Sequence, residues 1–280
     1  MTVMNAPTKT PSAEAILLRE DLPRKDSGKI AILTLNRPTA RNSLSEALLL
    51  ALSESFAAIA KDRDIRAVVL AANGPVFCAG HDLKELTSRR SDHDGGRAYF
   101  HHIMTTCSAM MQSIVALPQP VIAAVQGVAT AAGCQLVATC DLAVASTAAK
   151  FATPGVDIGL FCSTPMVALS RNVTRKHAMH MLLTGEPLSA EEAQRAGLIN
   201  RVTEPGRERA EALVLAEKIA AKSSHVVKIG KKAFYEQVQM PLAEAYDYAA
   251  KVMTENMMAR DANEGICAFI EKRTPHWEDK

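Results

Sequence analysis

Apolar positions follow two periods along this chain. Short unbroken apolar runs bounded by turn residues read as buried strands: KIAILTL (29–35), ended by Asn-Arg-Pro, RAVVLAANG (66–74), closed by Asn-Gly, PVIAAVQG (120–127) and CDLAVAS (140–146). Between them apolar residues recur at helical spacing, as in SLSEALLLALSESFAAIAKD (43–62), where Ser45 is the expected N-cap. Strands alternating with helices predict a sheet covered by helices, an α/β class.

The pattern changes after Gly159. TGEPLSAEEAQRAGLINRV (184–202) contains a capping box, Ser189 with Glu192, and a helix ended at Ala196-Gly197. From Arg207 to Arg273 helix follows helix with hardly a strand signal. The expected organisation is a flexible tail over 1–12, a mixed core over 13–200 and a helical C-terminal region over 201–280. The polar run SRRSDHDGGRA (88–98) is the most mobile-looking internal stretch.

Composition narrows the classes. The 280 residues, 48% apolar and 22% charged, suit one large soluble domain or a domain with an appendage. A net charge of +2, from 32 basic and 30 acidic residues, gives no global electrostatic case for nucleic acid or an anionic membrane. No apolar run reaches the roughly 20 residues of a membrane span, and the polar start MTVMNAPTKTPSAEA is no secretory signal. The six cysteines sit mostly in apolar or small-residue runs, without CxxC spacing. They read as buried thiols of a reducing compartment, and the cytoplasm is expected; no disulfide or metal site is.

Two segments follow strands and are rich in small residues: GPVFCAGHDLKEL (74–86) and GVATAAGCQL (127–136). Small residues let a ligand approach the backbone, and N–H groups near a helix N-terminus stabilise an anion or oxyanion. One such donor is typically worth about 2.7–4 kcal/mol in a transition state. Tight helix–sheet packing is the competing reason for the same residues.

These segments also carry a resemblance. LTLNRP (33–38), VVLAANGPVFCAGHDLKEL (68–86), PVIAAVQGVATAAGCQLVATCDLAVAS (120–146), FATPGVDIGL (151–160) and AFIEKR (268–273) resemble, in order and spacing, the crotonase or enoyl-CoA hydratase/isomerase superfamily. The resemblance implies a ClpP-like spiral of ββα turns, followed by C-terminal helices that form homotrimers, often stacked as hexamers. It implies a CoA thioester as substrate or ligand, with no further cofactor. It assigns the two oxyanion N–H groups to His81 and Ala132. It assigns CoA or substrate contacts to Ala40, Arg41, Asn42, Ala79, His81, Asp82, Leu83, Ala131 and Pro154. Phe269 and Lys272 match positions that close over the nucleotide, often from a neighbouring subunit.

One departure changes the expected chemistry. Where family hydratases carry two glutamates, this chain has Gln135 and Gly155. An amide does not exchange a proton near neutral pH, and each missing acid or base is worth roughly a hundredfold to ten-thousandfold. Efficient hydration is therefore not expected, and restoring both carboxylates is expected to raise it. Asp157 reads first as a turn residue beside Gly159 and otherwise as a candidate replacement base; the His81 imidazole is a second candidate. Of His101 and His102 at most one faces the pocket, Cys162 has no evident partner base, and Asp92-x-Asp94-Gly95 reads as a solvated loop. The expected function is an acyl-CoA thioester-binding protein that stabilises an enolate-like intermediate. The alternative is a non-catalytic acyl-CoA binder in fatty-acid metabolism. RNA binding, known in some superfamily members, needs a basic stripe that the charge balance does not suggest.

Overall fold

The structure, a computed structural model, describes residues 15–25 and 27–280; the tail expected over 1–12 lies outside the described residues. β1 (Leu17–Pro23) pairs antiparallel with β2 (Lys29–Leu35). α1 (Glu46–Lys61) begins where predicted, its Ser45 side chain accepting from the Leu48 N–H at 3.3 Å. It buries Leu48, Leu49, Leu52, Phe56 and Ile59, each worth about 1.5–3 kcal/mol on full burial. β3 (Ile65–Ala72), β4 (Val76–Cys78), α2 (Leu83–Ser88) and α3 (Arg97–Ala116) follow. Next come β5 (Val121–Val125), β6 (Val128–Thr130), α4 (Ala132–Thr139), β7 (Leu142–Ser146), β8 (Lys150–Ala152) and α5 (Pro165–Leu169). A 3-10 turn, Pro154–Ile158, links β8 towards α5.

The strand–strand–helix order repeats because each turn of chain crosses two sheets. The larger has the order β1-β2-β3-β5-β7, with β10 (Arg201–Thr203) at its far edge. The smaller has the order β4-β6-β8, then β9 (Leu188–Ser189). From β2 to β10 the larger sheet is parallel, and β4, β6 and β8 are parallel to one another. One core fills the space between these layers and the helices. A second lies on the outer face, where Ile30, Ile32, Val69 and Ile122 meet α8 (Glu208–Ala220). Ala212, Ala216 and Ala220 recur at i, i+4, i+8, so the helix backbone packs close to the sheet.

α6 (Arg175–Thr184) and α7 (Ala190–Ala196) precede β10; Ser189 and Glu192 form the predicted capping box of α7. The last helices are α9 (Ser224–Gln237), α10 (Leu242–Met257) and α11 (Arg260–Glu271). Their only buried residues are Asp261 and Ala268. Leu242, Tyr246, Met258, Phe269 and Ile270 are 76%, 72%, 80%, 85% and 72% exposed, so this region presents an extensive apolar surface. Lys231 ties α9 to the body: its Nζ donates to Ile114 O (3.0 Å), Gln119 O (3.1 Å) and Asp141 Oδ2 (2.7 Å). Asp141 also accepts from Tyr235 OH and Val121 N–H. Among the described residues, no helix is long and apolar enough to cross a membrane.

Candidate functional site

Three neighbouring parallel strands deliver three loops to one place. After β4 comes Ala79-Gly80-His81, after β6 Ala131-Ala132, and after β8 Thr153-Pro154-Gly155. The carboxyl ends of parallel strands are where open α/β sheets bind ligands. Here small residues are a steric necessity. A methyl group on Gly80, whose φ is +89°, would lie 3.0 Å from Ala131 Cβ and 3.4 Å from Ala132 N. One on Gly133 would lie 2.1 Å from Cys78 O. The two small-residue segments are thus pressed together. Ala131 pays with φ +50°, ψ −119°, an unusual conformation for a residue with a side chain.

The backbone donors there divide into used and unused. Ala79 N–H reaches Arg41 O (3.1 Å), Asp82 N–H reaches Leu44 O (3.2 Å) and Ala131 N–H reaches Ala152 O (2.9 Å). His81 sits inside the parallel bridge to Leu44, whose bonds use Gly80 O and Asp82 N–H. Its own N–H has no backbone acceptor among the described residues. Ala132 opens α4, so its N–H has no acceptor within the helix. Gly80 and Ala132 being in contact, the two unused donors lie on adjoining segments.

Buried polar side chains stand on the same segments. Gln135, on α4, is 5% exposed and its Oε1 has no partner among the described residues. Thr153 is fully buried, and its hydroxyl likewise has no partner among them. Neither ring nitrogen of His81 has a hydrogen-bond partner among the described residues; burial pushes the imidazole pKa below its ordinary value, opposed in part by the Leu44 backbone. Thr153 is the residue that pattern reasoning missed, since a threonine before Pro reads as turn chemistry. Gly155 is walled in: an added methyl would lie 2.9 Å from both Cys162 Sγ and Leu160 O. Burial raises the pKa of Cys162, opposed in part by the Gly155 backbone. The Asp157 carboxylate is exposed and lies over Gly185, at the end of α6.

The remaining expected positions scatter between this point and the surface. Asn42 is fully buried and holds the loop after β2: its Nδ2 donates to Asn73 O and Val76 O, both at 2.8 Å, and its Oδ1 accepts from Arg37 N–H. That leaves its amide committed to backbone. Asp82 caps α2 and pairs with Arg37 at 3.1 Å. Burial opposes its ionisation, but Arg37, the Glu85 N–H and Ser43 outweigh that and hold its carboxyl below the usual range. An open cleft of about 660 Å³ is lined by Arg37, Ala40, Ser45, Asp82, Lys84 and Glu85. Arg41 and Leu83 are exposed, and Ala79 and Pro154 are half-buried. Phe269 projects from α11, with Lys272 its left-handed C-cap. His102 pairs with Glu46 at 2.9 Å, and His101 is exposed. The polar run over 88–98 is built into turns, with Asp94 accepting from Gly96 and Ala98 N–H.

Successive ββα turns, wound so that small-residue strand ends meet beside a helix N-terminus, make this a crotonase-fold protein. The chain belongs to the enoyl-CoA hydratase/isomerase family, which it matches over residues 25–280. It is 49% identical over 245 residues to the rat enoyl-CoA hydratase domain-containing protein 3, mitochondrial, covering 88% of this chain and 80% of that one. Among solved structures it resembles an enoyl-CoA hydratase of Mycobacterium smegmatis, with 50% identity and a TM-score of 0.88 over 94% of this chain and 99% of that one. The human enoyl-CoA hydratase domain-containing protein 3 gives 47% identity and a TM-score of 0.85, over 92% and 99%. The expected cytoplasmic location does not stand, because relatives from rat, human and zebrafish are named mitochondrial. Buried free thiols indicate a reducing interior, a property that does not distinguish the cytoplasm from the mitochondrial matrix.

Proposed function

We propose that the protein binds an acyl-CoA thioester, with the His81 and Ala132 N–H groups holding the thioester carbonyl oxygen. The observation that supports this reading is the close approach of the two segments that carry these residues: a methyl group on Gly80 would lie 3.0 Å from Ala131 Cβ and 3.4 Å from Ala132 N. Such a pair of donors stabilises an enolate. The cleft beside Ala40 and Asp82, with Arg37 and Lys84 on its walls, is where the CoA lies in this reading. Homotrimers, or hexamers of stacked trimers, would cover the apolar surface of α9–α11.

Rapid hydration is not part of the proposal. Gln135 cannot exchange a proton near neutral pH, and the walls of Gly155 leave no room for an acid. The same two observations favour a second reading, a binder that holds the thioester without turning it over. NMR of crotonyl-CoA with the protein in heavy water separates them. Hydration, double-bond migration or deuterium at the reactive carbons supports catalysis, and loss of that signal in Asp157→Asn would identify the base. Binding without any such change supports the binder. Absence of binding refutes both.

A further inference from the structure

The polar contacts that hold the C-terminal helices gather around one buried carboxylate. α9, α10 and α11 bury only Asp261 and Ala268, so apolar burial does little to place them. Asp261 is 1% exposed, and its carboxylate accepts from the Ser223 hydroxyl, from Glu278 N–H at 2.8 Å and from Asp279 N–H at 2.9 Å. Residues Trp277–Lys280 also close three helix ends. The N-cap of α11 is Ala259, which offers no side-chain acceptor, and Lys280 O accepts the Asp261 N–H instead at 3.0 Å. At the start of α9, Asp279 Oδ1 accepts the Ser224 N–H at 2.8 Å. At the end of α8, Trp277 Nε1 donates to Ala221 O at 3.0 Å; its ring lies against Gly265 of α11, where an added methyl would be 3.2 Å away. Asp279 Oδ2 pairs with Arg66 of β3 at 2.5 Å. Arg66 and α8 belong to the body of the molecule, whereas Ser224 and Asp261 open helices beyond it.

We propose that Trp277–Lys280 form a strap across the link between α8 and α9, with Asp261 as its buried receptor. When the strap lets go, α11 and the first turn of α9 open together as one unit. Release would leave the Asp261 carboxylate with only one of its three donors, a costly state for a buried charge, so the strap and α11 move together. Ser223 joins the start of α9 to the same unit, because its hydroxyl donates to Asp261 and accepts from Val226 N–H. The opening stops at Lys231, whose bonds to Ile114 O, Gln119 O and Asp141 are independent of the strap. Segments with few buried apolar contacts are the ones that open below the cost of global unfolding. The engaged strap therefore fixes where the exposed Phe269 and Ile270 of α11 stand.

The test is hydrogen–deuterium exchange of the full chain, read by mass spectrometry. Asp261→Asn sets an amide NH2 against one of the two backbone donors, and Asp279→Ala removes the acceptor of Ser224 and the partner of Arg66. Each variant is expected to speed exchange at least about tenfold over 260–271 and 224–227, with β2, β3, β5 and the residues around Lys231 at the parent rate. Exchange over 260–271 that is unchanged in either folded variant overturns the inference. Equal acceleration through β2, β3 and β5 overturns it as well, because the strap would then support the whole molecule rather than hold one unit. Should Asp261→Asn not fold, the variant at the half-buried Asp279 decides alone.

Discussion

Gly155→Ala is the smallest change that probes the closed wall of the site. The added methyl would sit 2.9 Å from Cys162 Sγ, 2.9 Å from Leu160 O and 3.2 Å from Cys162 N. Two of these neighbours are backbone atoms of a turn fixed by the Leu160 N–H to Gly155 O bond at 2.9 Å, so they cannot swing aside as a side chain would. Overpacking of this kind costs about 1–3 kcal/mol. For a chain of this size that lowers Tm by about 2–4 °C per kcal/mol. Cys162→Ala removes only the sulfur contact. Added to Gly155→Ala, it should recover part of the loss and leave the carbonyl clash. The assay is thermal unfolding of the parent, both single variants and the double variant. A Gly155→Ala protein within about 1 °C of the parent would refute the steric argument. The same geometry bears on restoring both carboxylates, Q135E with G155E: a glutamate at 155 begins with the same colliding Cβ, so that double variant should also lose stability.

Lys231→Met leaves the Asp141 carboxylate buried without its cation, and should destabilise by about 3–5 kcal/mol in urea unfolding; adding Asp141→Leu should restore part of this. The folded-state pKa of His81 lies below its ordinary 6.5, so the unfolded chain takes up the proton first as pH falls. Stability should therefore decline as pH drops below about 6.5, and the decline should be shallower in His81→Gln. Burial pushes the Cys78, Cys107 and Cys134 thiols up to about 12, whereas Cys267 is the least buried cysteine. A thiol reagent should react fast at one site in the native protein, and Cys267→Ser should remove that fast phase.

The larger sheet was legible because its strands are long enough to show a pattern. KIAILTL became β2 and VIAAV became β5 with little change of boundary. β1 escaped because an edge strand with LLREDLP exposed along much of its length carries no apolar run. The smaller sheet escaped for another reason. β4, β6 and β8 have three residues each, too few for any period, yet they bring the site together. Gly80, Ala131 and Ala132 could be singled out as small residues after strands; that they touch follows only from the pairing of β4 with β6. The burial of Thr153 was hidden because it arises only from tertiary packing, and the wall around Gly155 because it depends on how the following turn folds Leu160 and Cys162 back over it.

If two backbone N–H groups grip a thioester carbonyl, as proposed above, the carbonyl itself is the direct reporter. Butyryl-CoA labelled with carbon-13 at the thioester carbonyl should show, on binding, a downfield carbon shift and a lower carbonyl stretching frequency, because two hydrogen bonds polarise the bond. A bound thioester whose carbonyl keeps both its solution values would contradict the account.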